Sequence, residues 1–337
     1  MNVTVSIVVP FYNPPKQLME NCLVSLKQQT FEDFEVLLID DGNEEDYRMF
    51  VEKCIQNDSR FKYIRKEHAG VSAARNLGIM LAVGKYMCFI DADDYVENNF
   101  LSTMIANAEN FELTICGIAE QEYPVVDAVE SIQTFLSKPS VYAEVQYINF
   151  CANKLFKTSI INNNHLQFDE FVKLGEDALF LNQYLNYCNC IKLFSDKLYH
   201  YVPSDSSAVK KYYSAYWSWE QQVIDCQWAM FHKYPLSKEQ EVARVHWLYC
   251  KFRGAIDYYW QHINDAADAK QIIREIVMHP LFQEFKKNEW QKSKQFFNLK
   301  NKLVLYMWCK FDLRGVLIAK KISSFLKNIK QMRKNKS

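Results

Sequence analysis

Glu35-Val36-Leu37-Leu38-Ile39-Asp40-Asp41-Gly42 decides how the first half of this chain is read. A short apolar run that closes on two acids and a glycine is the pattern of a buried strand ending at an open edge. The same beat recurs on both sides of it. Val5–Val9, Lys62–Arg65, Tyr86–Ile90 and Leu113–Cys116 are short and rich in Val, Ile, Leu, Tyr and Phe, and each reads as a buried strand. Between them lie helical patterns over Leu18–Gln28, Glu44–Ile55, Ser72–Val83 and Asn98–Ala108; the first puts Leu18, Cys22 and Leu26 on one face. Strand–helix–strand alternation predicts the α/β class, with a mostly parallel, doubly wound sheet. Ligands of such sheets sit beyond the carboxyl ends of the strands.

Those ends carry the chemistry. The first strand stops at Pro10-Phe11-Tyr12-Asn13-Pro14, the second at Asp40-Asp41-Gly42 and the fourth at Asp91-Ala92-Asp93-Asp94. A single acidic strand end is ordinarily a solvated turn or a helix cap. Two acidic clusters on one sheet edge repel unless a cation or a ligand's donors lie between them. Oxygen ligands in this pattern suit Mg²⁺ or Mn²⁺ combined with phosphate. Between the clusters, His68-Ala69-Gly70-Val71-Ser72-Ala73-Ala74-Arg75-Asn76 offers a glycine turn, Ser72 as a helix cap and Arg75 in the first turn, which together make an anion site. An arginine there is also common on plain surface.

No Gly-x-Gly-x-x-Gly follows the first strand, and no Gly-x-x-x-x-Gly-Lys-Ser/Thr, serine elbow or His-Glu-x-x-His occurs. Dinucleotide-binding, P-loop, serine-hydrolase and zincin readings therefore fall away.

Val5 to Asn13, Ile39-Asp40-Asp41-Gly42, Gly70 to Asn76 and Asp91-Ala92-Asp93-Asp94 resemble, in order and spacing, the family 2 glycosyltransferases of GT-A fold. The resemblance continues through Asn153-Lys154-Leu155-Phe156 and Gly175-Glu176-Asp177, so it covers about residues 3–210. It implies an inverting, metal-dependent transferase that moves a sugar from a nucleotide-diphosphate sugar, a UDP-sugar by family habit, to an acceptor hydroxyl. The acceptor would be a saccharide or lipid-linked saccharide in cell-surface polysaccharide or glycolipid synthesis. Carried over by position, Pro10 and Tyr12 would pack the donor base and Asp41 would hydrogen-bond it. Arg75 would face the diphosphate, Asp91 the ribose and Asp93 the metal, Mn²⁺ or Mg²⁺, with Asp94 assisting. Asp177 would be the catalytic base, beside Glu176; taken alone, that acidic pair after a glycine is a helix cap. Lys154 and His200 join the candidates, His200 because Tyr199-His200-Tyr201 followed by Ser206-Ser207 is similar to a loop that closes over the diphosphate. A nucleotidylyltransferase shares the layout but opens on a glycine-rich basic loop, unlike Pro10-Phe11-Tyr12-Asn13. A non-catalytic sugar-nucleotide or polysaccharide-binding relative would carry a broken acidic cluster, whereas Asp41, Asp91, Asp93 and Asp177 all stand.

Composition bounds the remainder. The chain has 337 residues, 49% of them apolar and 24% charged, which suits a large core. Lys and Arg total 40 against 40 acids, so no global field points to a nucleic-acid partner. The ten cysteines are scattered, lack a zinc spacing and read as thiols of a reducing cytosol. Met1 to Asn13 lacks the basic start of a secretory signal, and no apolar run is long enough to span a bilayer, which together predict a cytoplasmic protein. The expected organisation is a GT-A domain over 1–210, with a nucleotide-sugar half to 120 and an acceptor half from 121, followed by a helical region over 211–337. All seven tryptophans lie in that last region. Its aromatic residues over Tyr212–Trp260 read either as helix core or as an acceptor groove. Its end, from Lys310 to Lys336, interleaves basic residues with Leu317, Ile318, Ile322, Phe325, Leu326 and Ile329. That pattern fits a peripheral helix on the inner face of a membrane, or a helix packed on the domain with a solvated tail.

Overall fold

The computed structural model describes residues 3–119, 127–136, 149–203, 211–233, 235–264, 267–286 and 318. These form two compact units that divide between Lys211 and Tyr212.

In the first unit the chain runs β1 (Val5–Phe11), α1 (Lys16–Lys27), β2 (Phe34–Asp40), α2 (Glu45–Ile55), β3 (Phe61–Arg65), α3 (Val71–Leu81), β4 (Tyr86–Phe89), β5 (Tyr95–Val96), α4 (Phe100–Ala106) and β6 (Leu113–Ile118). It continues through β7 (Ala128–Ser131), α5 (Ile132–Leu136), β8 (Lys154–Lys157), α6 (Thr158–Asn163), α7 (Glu176–Leu185) and β9 (Cys190–His200). The strands make one sheet in the order β3-β2-β1-β4-β8-β6-β9-β5, with β7 also on β9. The parallel pairing expected from the alternation holds through β3, β2, β1 and β4. From β4 outward, β8 enters antiparallel between β4 and β6, and β9 pairs parallel with β6 but antiparallel with β5 and β7. The sheet is therefore mixed, and its doubly wound parallel half is the half that carries the first acidic ends.

Every residue of β1 and β2 is buried, as a parallel sheet covered on both faces requires. Two of the polar side chains buried there satisfy each other: Ser6 Oγ donates to Glu35 Oε1 at 2.5 Å, and Lys62 Nζ meets Glu35 Oε2 at 2.7 Å. Strand order reverses after β3. By the right-handed crossover rule α1 and α2 then lie on one face and α3 on the other. The approach of α3 to β1 depends on Gly78, where a Cβ would fall 2.3 Å from Val8 Cγ1.

The second unit contains α8 (Tyr216–His232), α9 (Lys238–Gln261), α10 (Ala269–Met278) and α11 (Pro280–Glu284). Ser237 and Gln240 close a capping box at the start of α9. Trp217, Trp219, Trp247, Tyr249 and Tyr259 are buried, so of the two readings of this aromatic stretch these rings take the core one. Among the described residues no helix is long and apolar enough to cross a membrane. The basic tail, apart from Ile318, and Ser206-Ser207 lie outside the described residues.

Candidate active site

The carboxyl end of β2 splits its two acids between two tasks. Asp40 builds the turn: its Oδ1 accepts from the backbone N–H of Gly42 at 3.0 Å and of Asn43 at 2.7 Å, and Tyr63 donates its hydroxyl to Oδ2. Asp41 turns the other way and holds the segment that enters α3. Its Oδ1 takes Lys66 Nζ at 2.6 Å and the Ala69 N–H at 3.0 Å, and its Oδ2 takes the Gly70 N–H at 2.8 Å. His68 Nδ1, hydrogen-bonded to the Asp41 carbonyl oxygen at 3.0 Å, lies 2.8 Å from Oδ2. Burial alone would raise this carboxyl, but the lysine and the two amides hold it below the ordinary range. Three donors, Lys66 and the two amides, thus occupy this carboxylate, and Lys66 is the cation of the chain that sits beside it.

Tyr12, 51% exposed at the end of β1, stacks on His68 with ring centroids 4.1 Å apart. Asn13 takes a left-handed φ of 47° next to it, and its N–H donates to Asn43 Oδ1 at 2.6 Å. Pro10 sits inside β1, paired with Ile39.

Two expectations about α3 change. Gly70, at φ 102°, is the N-cap, and Ser72 makes no capping hydrogen bond because the helix already starts at Val71. Arg75 consequently lies in the second turn, away from the N–H groups at the helix start. Its guanidinium reaches across the sheet edge. Nη1 meets Asp177 Oδ1 at 2.6 Å and Glu176 Oε1 at 3.2 Å, and Nη2 meets Asp91 Oδ1 at 3.0 Å. The side chain is 5% exposed.

Asp177 and Glu176 open α7 behind Gly175, whose φ of 92° makes the turn, and neither side chain of the pair is its N-cap. The helix-cap reading of this pair is thereby set aside. Asp177 Oδ2 accepts the Cys151 N–H at 3.0 Å, so both of its oxygens are held. Burial, opposed by Arg75 and reinforced by Asp91, raises the Asp177 carboxyl; burial and Asp177 push Glu176 up to about 7.

In the acidic turn the three aspartates differ in role. Asp91 faces Arg75. Asp94 is drawn to the far end of β9: Tyr199 donates its hydroxyl to Oδ2 at 2.5 Å and Val202 its N–H to Oδ1 at 2.8 Å. Burial, with Asp91 close by, pushes Asp94 up to about 8. Among the described residues no side chain donates to Asp93, whose carboxyl is raised by burial and by Asp91. The described residues contain no cluster of three or more His, Cys, Asp or Glu side chains that could hold a metal ion alone. Asp93 fits a hard cation as one carboxylate completed by substrate phosphates, the usual arrangement for Mg²⁺; Asp94, with both oxygens occupied, does not.

Lys154 lies fully buried and donates to Asn153 Oδ1 at 2.9 Å, its ammonium lowered to about 8 by burial. His200 pairs with Tyr95 across β5 and β9, stacks on that ring at 4.2 Å and meets Glu97 Oε1 at 2.7 Å. Lys66 and Cys151 carry no role in the sequence motifs, and His68 and Tyr199 stand inside quoted motifs without an assigned one. Each acts through a partner remote in the chain.

A mixed α/β sheet of this kind, with acids beyond the ends of β2 and β4, belongs to the class of α/β folds called GT-A. Residues 6–163 match the family model described as Glycosyl transferase family 2, and the chain carries a domain of that family. Two curated relatives from Bacillus subtilis (strain 168) are similar to it. One is the uncharacterized glycosyltransferase EpsJ, 30% identical over 60% of this chain and 62% of its own. The other is the putative glycosyltransferase EpsH, 30% identical over 62% of this chain and 63% of its own. The chain thus spans less than two thirds of their length. The crystal structure of S. aureus TarS 1–349 in complex with UDP-GlcNAc shares the fold at TM-score 0.71 and 19% identity, covering 96% of this chain and 92% of that one.

Proposed function

We propose that this chain transfers a sugar from a UDP-sugar to a hydroxyl of a saccharide or lipid-linked saccharide, inverting the anomeric carbon. The observation that carries the reading is the meeting of Asp91 and Asp177, from opposite halves of the first unit, on one guanidinium at the strand ends. A family 2 domain over residues 6–163 and the UDP-GlcNAc bound by a protein of the same fold support it.

In this reading the base stacks on the exposed ring of Tyr12 just beyond β1, whereas Pro10, buried inside that strand, only supports the end of it. Asp41 would contact the base on the side of His68, which is more exposed than Lys66. Asp91 takes the ribose side. A Mg²⁺ or Mn²⁺ on Asp93 would neutralise charge on the diphosphate. The acceptor oxygen attacks the anomeric carbon as the bond to the diphosphate oxygen breaks, and its proton passes to the Asp177 carboxylate. One displacement inverts the centre.

The test is nucleoside diphosphate release from UDP-, GDP-, dTDP- and CDP-sugars with Mn²⁺, with Mg²⁺ and with EDTA. Release from the UDP-sugars, lost in EDTA, is the expected result; binding of none of the four nucleotides rejects the reading. Asp177→Asn should abolish turnover and leave UDP affinity near wild type. Loss of both together would remove Asp177 as base.

A further inference from the structure

Within the transferase reading, on which this inference rests, we propose that Arg75 is a positioning residue: it fixes the Asp177 carboxylate against Asp91 and does not bind the donor diphosphate. The geometry leaves little room for an anion. Nη1 is shared by Asp177 and Glu176, Nη2 is held by Asp91, and Nε is buried without a partner among the described residues. The face of the guanidinium lies 5.1 Å from the centroid of the Phe168 ring. The backbone of Phe168 is gripped by the neighbour of Arg75 in the chain. The Phe168 N–H donates to Asn76 Oδ1 at 2.8 Å, and Asn76 Nδ2 donates to the Phe168 carbonyl at 3.0 Å. Arg75 is therefore set in plane and in rotation before any ligand arrives.

A phosphate could take the guanidinium only by pulling it off Asp177 and Glu176, whose side chains are mostly buried, and breaking a buried pair costs several-fold more than an exposed one repays. What the arginine does instead follows from its shape. A planar fork can grip two carboxylates from different nitrogens in a fixed relation, which the point charge of a lysine cannot. With Cys151 holding the other oxygen, Asp177 has one orientation available. Arg75 keeps that orientation in register with the strand end that bears Asp91.

The experiment compares wild type, Arg75→Lys, Arg75→Ala and the double variant Arg75→Ala with Asp177→Asn. UDP affinity is measured by calorimetry and turnover with and without added guanidinium chloride. Arg75→Lys keeps the buried charge and guards against simple failure to fold, which its circular dichroism will show. Both single variants should lose kcat by about a hundredfold, the usual scale for a reacting group displaced by an ångström, while UDP binds as in wild type. Guanidinium should restore turnover to Arg75→Ala and not to the double variant. If UDP binding falls in step with turnover, or if Arg75→Lys turns over like wild type, the positioning role is wrong. A wild type that binds no UDP sinks the transferase reading itself, whereas UDP-binding wild type with UDP-blind Arg75 variants sinks this inference alone.

Discussion

At the scale of single residues the acidic pair at the start of α7 sets the pH behaviour. Asp177 works as a base only when ionised, and burial raises it despite Arg75; Glu176, beside it, is pushed up to about 7. Turnover should therefore show an acid limb and rise with pH to a plateau as Asp177 ionises. Glu176→Gln removes one negative neighbour and leaves Arg75 to fewer acids, so its acid limb should move to lower pH. A kcat profile on the released nucleotide checks both, and a Glu176→Gln limb at the wild-type position or higher rejects the coupling. Asp41, Asp91 and Asp177 were legible in the sequence because each ends a strand or starts a helix inside a spaced motif. Their partners were not. Lys66 for Asp41 and the Cys151 amide for Asp177 are pairings that only the folded chain creates. Ser72 misled for a local reason, since a glycine able to take φ 102° starts the helix two residues early.

At the scale of elements, α3 aims the site. Its start is fastened to Asp41 by the Gly70 amide, its second turn supplies Arg75, and its third turn meets β1 through Gly78. A Gly78→Ala change sets two effects against each other. Helix propensity favours alanine by about 1 kcal/mol. A Cβ placed 2.3 Å from Val8 Cγ1 overpacks a filled contact, which costs about 1–3 kcal/mol. The clash should win, lowering the urea midpoint at unchanged slope, and Val8→Ala in the same chain should recover part of the loss. A Gly78→Ala protein as stable as wild type would show that α3 can stand further from the sheet. The parallel strands were readable because β1, β2 and β4 are nearly continuous apolar runs and helical patterns separate the four strands. The mixed half was not: β8 inserts between β4 and β6, neither its neighbour in sequence.

Across the whole molecule, the buried ionisable groups predict a stability optimum on the acid side of neutrality. Asp41, Glu35 and Asp58 have depressed carboxyls, held down by Lys66, Lys62 and Arg60. Their contribution is present above the ordinary carboxylate range and is lost as pH falls through it. Glu176 and Asp94 act in the opposite sense. Raised to about 7 and about 8 by burial, they keep protons in the folded chain that the unfolded chain has already released. Wherever the native state holds more protons, stability falls as pH rises, so this part declines from the ordinary carboxylate range up to about pH 8. Beyond that Lys154, lowered to about 8 by burial, begins to shed its proton in the folded state first, and the decline should flatten or reverse. Urea midpoints followed from acid to alkaline pH should trace a rise, a maximum and a fall. Asp94→Asn, which cannot ionise, should flatten the falling limb. A midpoint that climbs steadily to pH 8 in wild type would mean that Asp94 and Glu176 are ionised throughout, their charge already matched by the cations around them.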